Sequence, residues 1–442
     1  MTDPSTVRRK AAAARAAARK LATVPTETKD RALLAIAARI EAEAPAILAA
    51  GAADVAEARP LVKSGAMARP LLDRLALDEG KIRGMADGVR AVAALPDPSG
   101  RLIARTLLDD GLVLEKVTCP LGVLAVVFES RPDAVPQIGA LALKSGNAAL
   151  LKGGRESARS VEAILGAFHE ALGGFPEIPL DALQLLSGRE EVDELLSLTD
   201  DVDLVIPRGG SDLIRYVMGR TRIPVLGHAE GVCHVYVDRA ADPEMAVAIV
   251  VDAKTTYPAA CNAVETVLLH REIAARLLPA LVARLRAEGV EIRACPATRA
   301  LAPGLDLAAA APGDFGAEFG ALVLAVKTVE GLDEAIDHVN RFGSKHTDAI
   351  VTEDRAAAER FLAEVDAAGV YVNASTRFAD GFRYGFGAEV GVSTSKLHAR
   401  GPVGLEGLVT YKYRLYGDGH LVATYSGPLA RPFRHRRLDP AG

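Results

Sequence analysis

From residue 121 onward, short runs of β-branched and aliphatic residues alternate with longer stretches whose apolar positions recur every three or four residues. That alternation is the pattern of a parallel sheet covered by helices. Strands are predicted at 121–128, 148–152, 183–186 and 203–206, with helices at 134–145 and 157–172. After Gly231 a second region predicts strands at 234–238, 264–270, 321–326, 349–352 and 369–373, separated by helices at 243–255, 272–288, 332–340 and 354–365. Near-continuous apolar runs mark strands buried on both faces, so the fold class is α/β. The Ala-rich start reads as one amphipathic helix continuing through Leu33, Leu34, Ile36, Ile40 and Ile47.

Two extended pieces lack a partner in that scheme. Residues 105–108 and 112–117 flank Asp109-Asp110-Gly111, a strong hairpin signal, and 407–416 is a late extended run. Strand edges are usually paired or covered, so both pieces are expected to form an oligomerisation element. The chain then divides into a first α/β domain (1–103 and 122–231), a second (232–392), and the oligomerisation pieces (104–121 and 393–442). Gly153-Gly154 and Arg208-Gly209-Gly210-Ser211 fall at strand C-terminal ends, where open α/β sheets bind ligands. No GxGxxG follows a strand, so the usual dinucleotide fingerprint is missing.

Charge and cysteines narrow the class. The chain carries 52 Lys and Arg against 57 Asp and Glu, a net charge of −5, with no long basic block after residue 20. Nothing there attracts a polyanion, so nucleic acid is not an expected partner. No uncharged apolar run approaches the roughly 18 residues of a membrane span, so no membrane association is expected. Arg8-Arg9-Lys10 is followed by no apolar core and no cleavage-like break, which argues against a leader peptide. The four cysteines, Cys119, Cys233, Cys261 and Cys295, are too scattered for a disulfide framework and show no CxxC pair. They read as reduced thiols in a cytoplasmic protein.

Candidate chemistry gathers in a few segments. Cys261 sits in Tyr257-Pro-Ala-Ala-Cys-Asn, a small-residue turn before an apolar strand, where a nucleophilic thiolate would be placed. A lone Cys in an apolar stretch is more often a small core residue, so the turn alone does not establish the role. Polar loops follow other strands: Glu129-Ser130-Arg131, Asn373-Ala-Ser375-Thr376-Arg377, and Ser393-Thr-Ser-Lys-Leu-His398-Ala-Arg400. Arg131, Arg377 and Arg400 each suit bidentate binding of a carboxylate or phosphate, whereas a surface ion pair is the commoner fate of one arginine. His346 and His398 are candidates for proton transfer, yet a satisfied core or loop histidine is the commoner reading of each. No two His or carboxylates stand at ligand spacing within one of these loops, so no metal is expected.

Several segments carry a more specific signal. These are Cys119-Pro-Leu-Gly-Val through Glu129-Ser-Arg-Pro-Asp-Ala, Gly146-Asn-Ala-Ala-Leu-Leu-Lys-Gly-Gly, Pro207-Arg-Gly-Gly, Val225-Leu-Gly-His-Ala-Glu-Gly, Cys261-Asn-Ala-Val-Glu-Thr, Tyr371-Val-Asn-Ala-Ser-Thr-Arg-Phe and Ser395-Lys-Leu-His-Ala-Arg-Gly-Pro. Together they closely resemble the gamma-glutamyl phosphate reductase (glutamate-5-semialdehyde dehydrogenase) family of the aldehyde dehydrogenase superfamily, from about residue 30 to 419. In that family's signature over 329–350, Val339 stands for the usual Ile and Phe342 for the usual His or Tyr.

The resemblance implies an aldehyde dehydrogenase-like fold whose Rossmann-like domain lacks the glycine fingerprint. It makes 1–103 with 122–231 an NADP-binding domain and 232–392 a catalytic domain. It implies NADPH-dependent reduction of L-glutamyl 5-phosphate to L-glutamate 5-semialdehyde, the second step of proline biosynthesis from glutamate. Cys261 becomes the nucleophile; Lys152, Gly153, Arg208, Gly209, Gly210, Ser211 and Glu318 become cofactor contacts. Ser130, Arg131, Asn373, Ser375, Thr376, Arg377, His398 and Arg400 become substrate contacts. The water-activating glutamate of ordinary aldehyde dehydrogenases would fall near Val225 and their oxyanion asparagine near Ser130, which favours reduction of an acyl phosphate over oxidation to an acid. The implied partners are a second copy, as homodimer or homotetramer, and functional coupling to a glutamate 5-kinase. The chain begins at the reductase, so the fused synthase form is not expected.

Overall fold

A computed structural model describes residues 6–67, 69–186, 188, 190–228 and 230–439. The chain folds into two compact units: one of Met1–Leu226, Phe386–Gly391 and Val403–Gly442, the other of Gly227–Gly385 and Val392–Pro402.

The first unit is built on a parallel sheet in the order Leu183–Leu185, Ala148–Lys152, Val123–Phe128, Leu204–Arg208. Every residue of Val123–Phe128 and Ala148–Lys152 is buried, as unbroken apolar runs require when helices cover both faces. Helix Ala134–Ser145 between them stops at Gly146, whose φ of 82° gives the left-handed C-cap that a side chain resists. The Ala-rich start is not one helix. Thr6–Leu21 ends, Pro25 stands at the N-cap of Thr26–Ala42, and Ile47 lies on a third helix, Ala44–Lys63. Proline lacks an N–H and clashes with the preceding turn, so the periodicity carries across a break that it cannot reveal.

The unit also carries a four-stranded antiparallel sheet. Leu102–Asp109 and Leu112–Pro120 form the hairpin, with Gly111 at φ 73° in its turn. The two orphan pieces partner each other: Val409–Tyr416 lies along Leu112–Pro120, Leu415 opposite Leu114. Arg436–Leu438 closes the other edge against Leu102–Asp109, a strand too short to show a period in sequence.

The second unit holds seven parallel strands, in the order Ala308–Ala309, Glu291–Ala294, Val323–Val329, Val264–His270, Cys233–Val237, Thr347–Val351, Gly369–Val372. Val264–His270 is wholly buried, and helices Pro243–Thr255 and Arg271–Ala287 pack their apolar sides into the same core. Asp242 caps the first of these helices, its carboxylate accepting from the Met245 amide at 2.7 Å. The strands Glu291–Ala294 and Ala308–Ala309, four and two residues long, had no periodicity to announce them. Residues 392–402 belong to this unit, whereas 386–391 and the segment from 403 belong to the first. No helix among the described residues is long and apolar enough to cross a membrane.

Candidate active site

Three adjacent strands of the second unit, Val264–His270, Cys233–Val237 and Thr347–Val351, run parallel, so the segments leading into them share one edge of the sheet. Cys261, Gly231 and His346 are on those three segments. His346 Nε2 lies 3.2 Å from Cys261 Sγ, while its Nδ1 lies 2.9 Å from the Thr347 hydroxyl. His346 is buried and Cys261 partly exposed, so the sulfur stays reachable from solvent while its imidazole neighbour is fixed. His228 completes the group: its Nδ1 donates to the Val392 carbonyl at 3.0 Å, and its ring meets that of His346 edge to face at 4.8 Å.

The loop after Gly369–Val372 folds back onto the cysteine turn. Thr376 donates its hydroxyl to the Asn262 carbonyl at 2.7 Å, and Asn262 donates its side-chain amide to the Ala379 carbonyl at 2.8 Å. Ser375 caps the short turn that carries Arg377. Arg377 is only 9% exposed, lies 5.9 Å from the Tyr257 ring centre, leaves its buried Nε without a partner and forms no ion pair among the described residues. Burial, reinforced by the neighbouring Arg383 cation, lowers its pKa. Beneath the turn, fully buried Lys254 and Glu265 meet at 2.6 Å, and the other Glu265 oxygen accepts from the Gly320 amide at 3.2 Å, tethering the loop that bears Glu318. Burial raises Glu265 to about 7 and lowers Lys254, drawing both toward neutrality.

Other expected contacts fall elsewhere. Asn373 lies at the far, C-terminal edge of the sheet, exposed, with its amide oxygen accepting from the Thr352 amide and its nitrogen donating to the Thr352 carbonyl. His398 is exposed. Arg400 pairs with Asp366 at 3.0 Å, which also holds Lys345 and Lys396; these cations keep the Asp366 carboxyl well below the usual range.

In the first unit, a cavity of about 1040 Å³ opens where Val123–Phe128 and Ala148–Lys152 end. Its walls join an apolar slot (Val127, Phe128, Leu61, Leu71) to Ser130, Lys152, Gly153, Gly154 and Arg155. Lys152 is buried, its pKa lowered by desolvation, and donates to the Gly153 carbonyl at 2.6 Å. Four of the cavity's five carboxylates are already engaged: Asp54 by Ser160, Glu57 by Arg159, Glu129 by the Gly210 amide, and Glu156 by the amide and hydroxyl of Ser130. Arg155, which sequence reading passed over, is exposed at this cavity, and its side chain has no hydrogen bond or ion pair among the described residues. Size, an apolar slot and two cations fit a dinucleotide with phosphates.

The remaining expected cofactor and substrate contacts of this unit are structural neighbours of that cavity. Arg208 donates to the Glu389 carbonyl at 2.7 Å. A Cβ on Gly209 would stand 2.7 Å from the Leu213 side chain, so the turn admits only glycine there without adjustment. Gly210 and Ser211 start the helix Ser211–Arg220, which sends Asp212, Leu213 and Tyr216 into the cavity wall. Arg131 is half-buried beside Ser130.

Comparison with known proteins gives this geometry a family. The aldehyde dehydrogenase family profile matches residues 79–299 and 317–408. The gamma-glutamyl phosphate reductase of Synechococcus sp. (strain JA-3-3Ab) is 58% identical over 97% of this chain and 94% of its own. That of Synechococcus elongatus is 54% identical over 96% of this chain and 97% of its own. The crystal structure of gamma-glutamyl phosphate reductase from Thermotoga maritima superposes with a TM-score of 0.90 at 40% identity, covering 94% of this chain and 100% of that one. The chain therefore belongs to the aldehyde dehydrogenase family of oxidoreductases and, within it, to the gamma-glutamyl phosphate reductases.

Proposed function

We propose that this protein uses NADPH to reduce L-glutamyl 5-phosphate to L-glutamate 5-semialdehyde and phosphate, through a thioester on Cys261, as the second step from glutamate to proline. The observation that carries the reading is the 3.2 Å approach of the His346 imidazole to the Cys261 sulfur, in a chain 58% identical to a gamma-glutamyl phosphate reductase.

The chemistry follows from these groups. With its Nδ1 proton directed to Thr347, His346 accepts the thiol proton at Nε2 and leaves a thiolate, the nucleophilic form. The sulfur attacks the acyl carbon, a C–S bond forms, and the bond to the phosphate oxygen breaks as phosphate leaves with the electron pair. Bound NADPH supplies the hydride that the thioester carbon accepts. Collapse of the resulting hemithioacetal returns the Cys261 thiolate and releases the aldehyde.

Among the loop arginines, Arg377 is the one suited to the α-carboxylate of the substrate. A buried guanidinium without a carboxylate partner is unfavourable, and an anionic substrate relieves it, whereas Arg400 already shares Asp366. Lys152 and Arg155 suit the 2′-phosphate and pyrophosphate of NADPH, since both cations line the cavity without an ion pair among the described residues and Glu156 and Glu57 are held by Ser130 and Arg159. We read the edge strand Val409–Tyr416, seven of whose eight residues are exposed, as the contact with a second copy of this chain in a homodimer or homotetramer.

The reaction is tested in reverse. Supplied with glutamate 5-semialdehyde, the protein should reduce NADP+ at a rate that rises with added phosphate and vanishes in Cys261→Ser. A phosphate-independent rate with glutamate as product would assign a hydrolytic aldehyde dehydrogenase instead.

A further inference from the structure

We propose that His228, Cys261 and His346 form an inhibitory site for a thiophilic divalent cation, for which zinc is the natural probe. The three donors come from separate segments of the second unit, and one ligand atom from each lies within 4.8 Å of the others. A thiolate with two imidazoles is a donor set suited to tetrahedral zinc, with a fourth position left to solvent.

Two features beyond proximity support a metal. Each imidazole is held at Nδ1 by a neighbouring oxygen, the Val392 carbonyl for His228 at 3.0 Å and the Thr347 hydroxyl for His346 at 2.9 Å. A hydrogen bond at one ring nitrogen that fixes the tautomer and aims the other is the supporting shell of a metal-bound histidine. The two rings also meet edge to face, at 75°, and His346 Nε2 lies 3.2 Å from the Cys261 sulfur. Zinc–nitrogen bonds of about 2.0–2.1 Å and a zinc–sulfur bond of about 2.3 Å in a tetrahedron set these ligand atoms roughly 3.3–3.6 Å apart, so closure needs contraction of somewhat more than an ångström in the widest pair.

Binding displaces the thiol proton into solvent and occupies the sulfur lone pair. Affinity should therefore rise with pH, and turnover should stop until a chelator removes the ion. Only the inhibition rests on Cys261 being the nucleophile; the coordination does not.

The test separates the two. Cobalt(II) added to the full-length protein should give a sulfur-to-cobalt charge-transfer absorption that zinc abolishes and that Cys261→Ser lacks. In the reverse assay, with free zinc held by a chelator buffer, zinc should inhibit the wild type reversibly. His228→Gln, which retains a donor toward Val392 but ligates zinc poorly, should need about 10–100-fold more zinc than the wild type to halve its own zinc-free rate. Absence of the charge-transfer band in the wild type, or equal zinc sensitivity in His228→Gln, would overturn the site. Turnover surviving in Cys261→Ser would instead overturn the proposed reaction and leave the spectroscopic result standing.

Discussion

Gly231 lies so close to the main chain of Cys261 that a Cβ on it would stand 2.6 Å from the Cys261 Cα. The glycine keeps the sulfur in place by having no side chain to push it away. Gly231→Ala must move the cysteine turn, and misplacement of a reacting group by about an ångström can lower turnover some 100-fold. Circular dichroism should keep its wild-type shape, because the overlap falls on the segments before two strands and leaves the sheets themselves in place. Wild-type turnover in the folded variant would show that the turn relaxes without harm.

Under the proposed function, Lys152 and Arg155 set the cofactor preference. Removing a cation that meets the 2′-phosphate weakens NADPH and spares NADH, which lacks that group. Lys152→Ala and Arg155→Ala should each raise the Kd of NADPH more than that of NADH in fluorescence titrations. Equal losses for both cofactors would move these side chains to the ribose or pyrophosphate.

Much of this arrangement was legible in the chain. Helices Ala134–Ser145 and Pro243–Thr255 and strands Ala148–Lys152 and Val264–His270 fall where the alternating apolar runs predicted them. Cys261 stood out because small residues surround it. His346 stood out only as a polar loop residue; its meeting with Cys261, 85 residues away, depends on which parallel strands become neighbours, and periodicity carries no strand order. The same blindness grouped Asn373 with Arg377: four residues apart in sequence, they serve opposite edges of the sheet because the chain doubles back between them.

The buried Lys254–Glu265 pair yields a stability prediction. Lys254→Met strands a carboxylate in the core and should lower stability by about 3–5 kcal/mol in denaturant unfolding, since breaking one side of a buried pair leaves the other uncompensated. The double variant Lys254→Met/Glu265→Leu should recover most of that loss. A double variant no more stable than the single one would show that the tether to Gly320 matters more than the charge balance.

His338 should set part of the acid limb of stability. It is 4% exposed among Phe315, Phe342 and His234, and burial pushes its pKa down from 6.5 to about 3. Between those values the unfolded chain holds a proton on this residue that the folded one refuses, so its contribution is fully present above pH 6.5 and is lost as pH falls toward 3. Tm should drop through that window, and His338→Phe, which fits the aromatic surroundings, should flatten the drop. An unchanged pH profile in that variant would assign the acid limb to other groups.

The most direct measurement of the central claim is a single-turnover experiment without phosphate. Mixed with NADP+ and glutamate 5-semialdehyde in phosphate-free buffer, the protein should form about one NADPH per site and then stall, because His346 can activate the sulfur but phosphate is the acceptor that frees it. Intact-mass and peptide analysis of the quenched sample should find a glutamyl thioester on Cys261, and arsenate should restart turnover. Sustained NADPH formation without phosphate or arsenate, with no adduct on Cys261, would contradict the account.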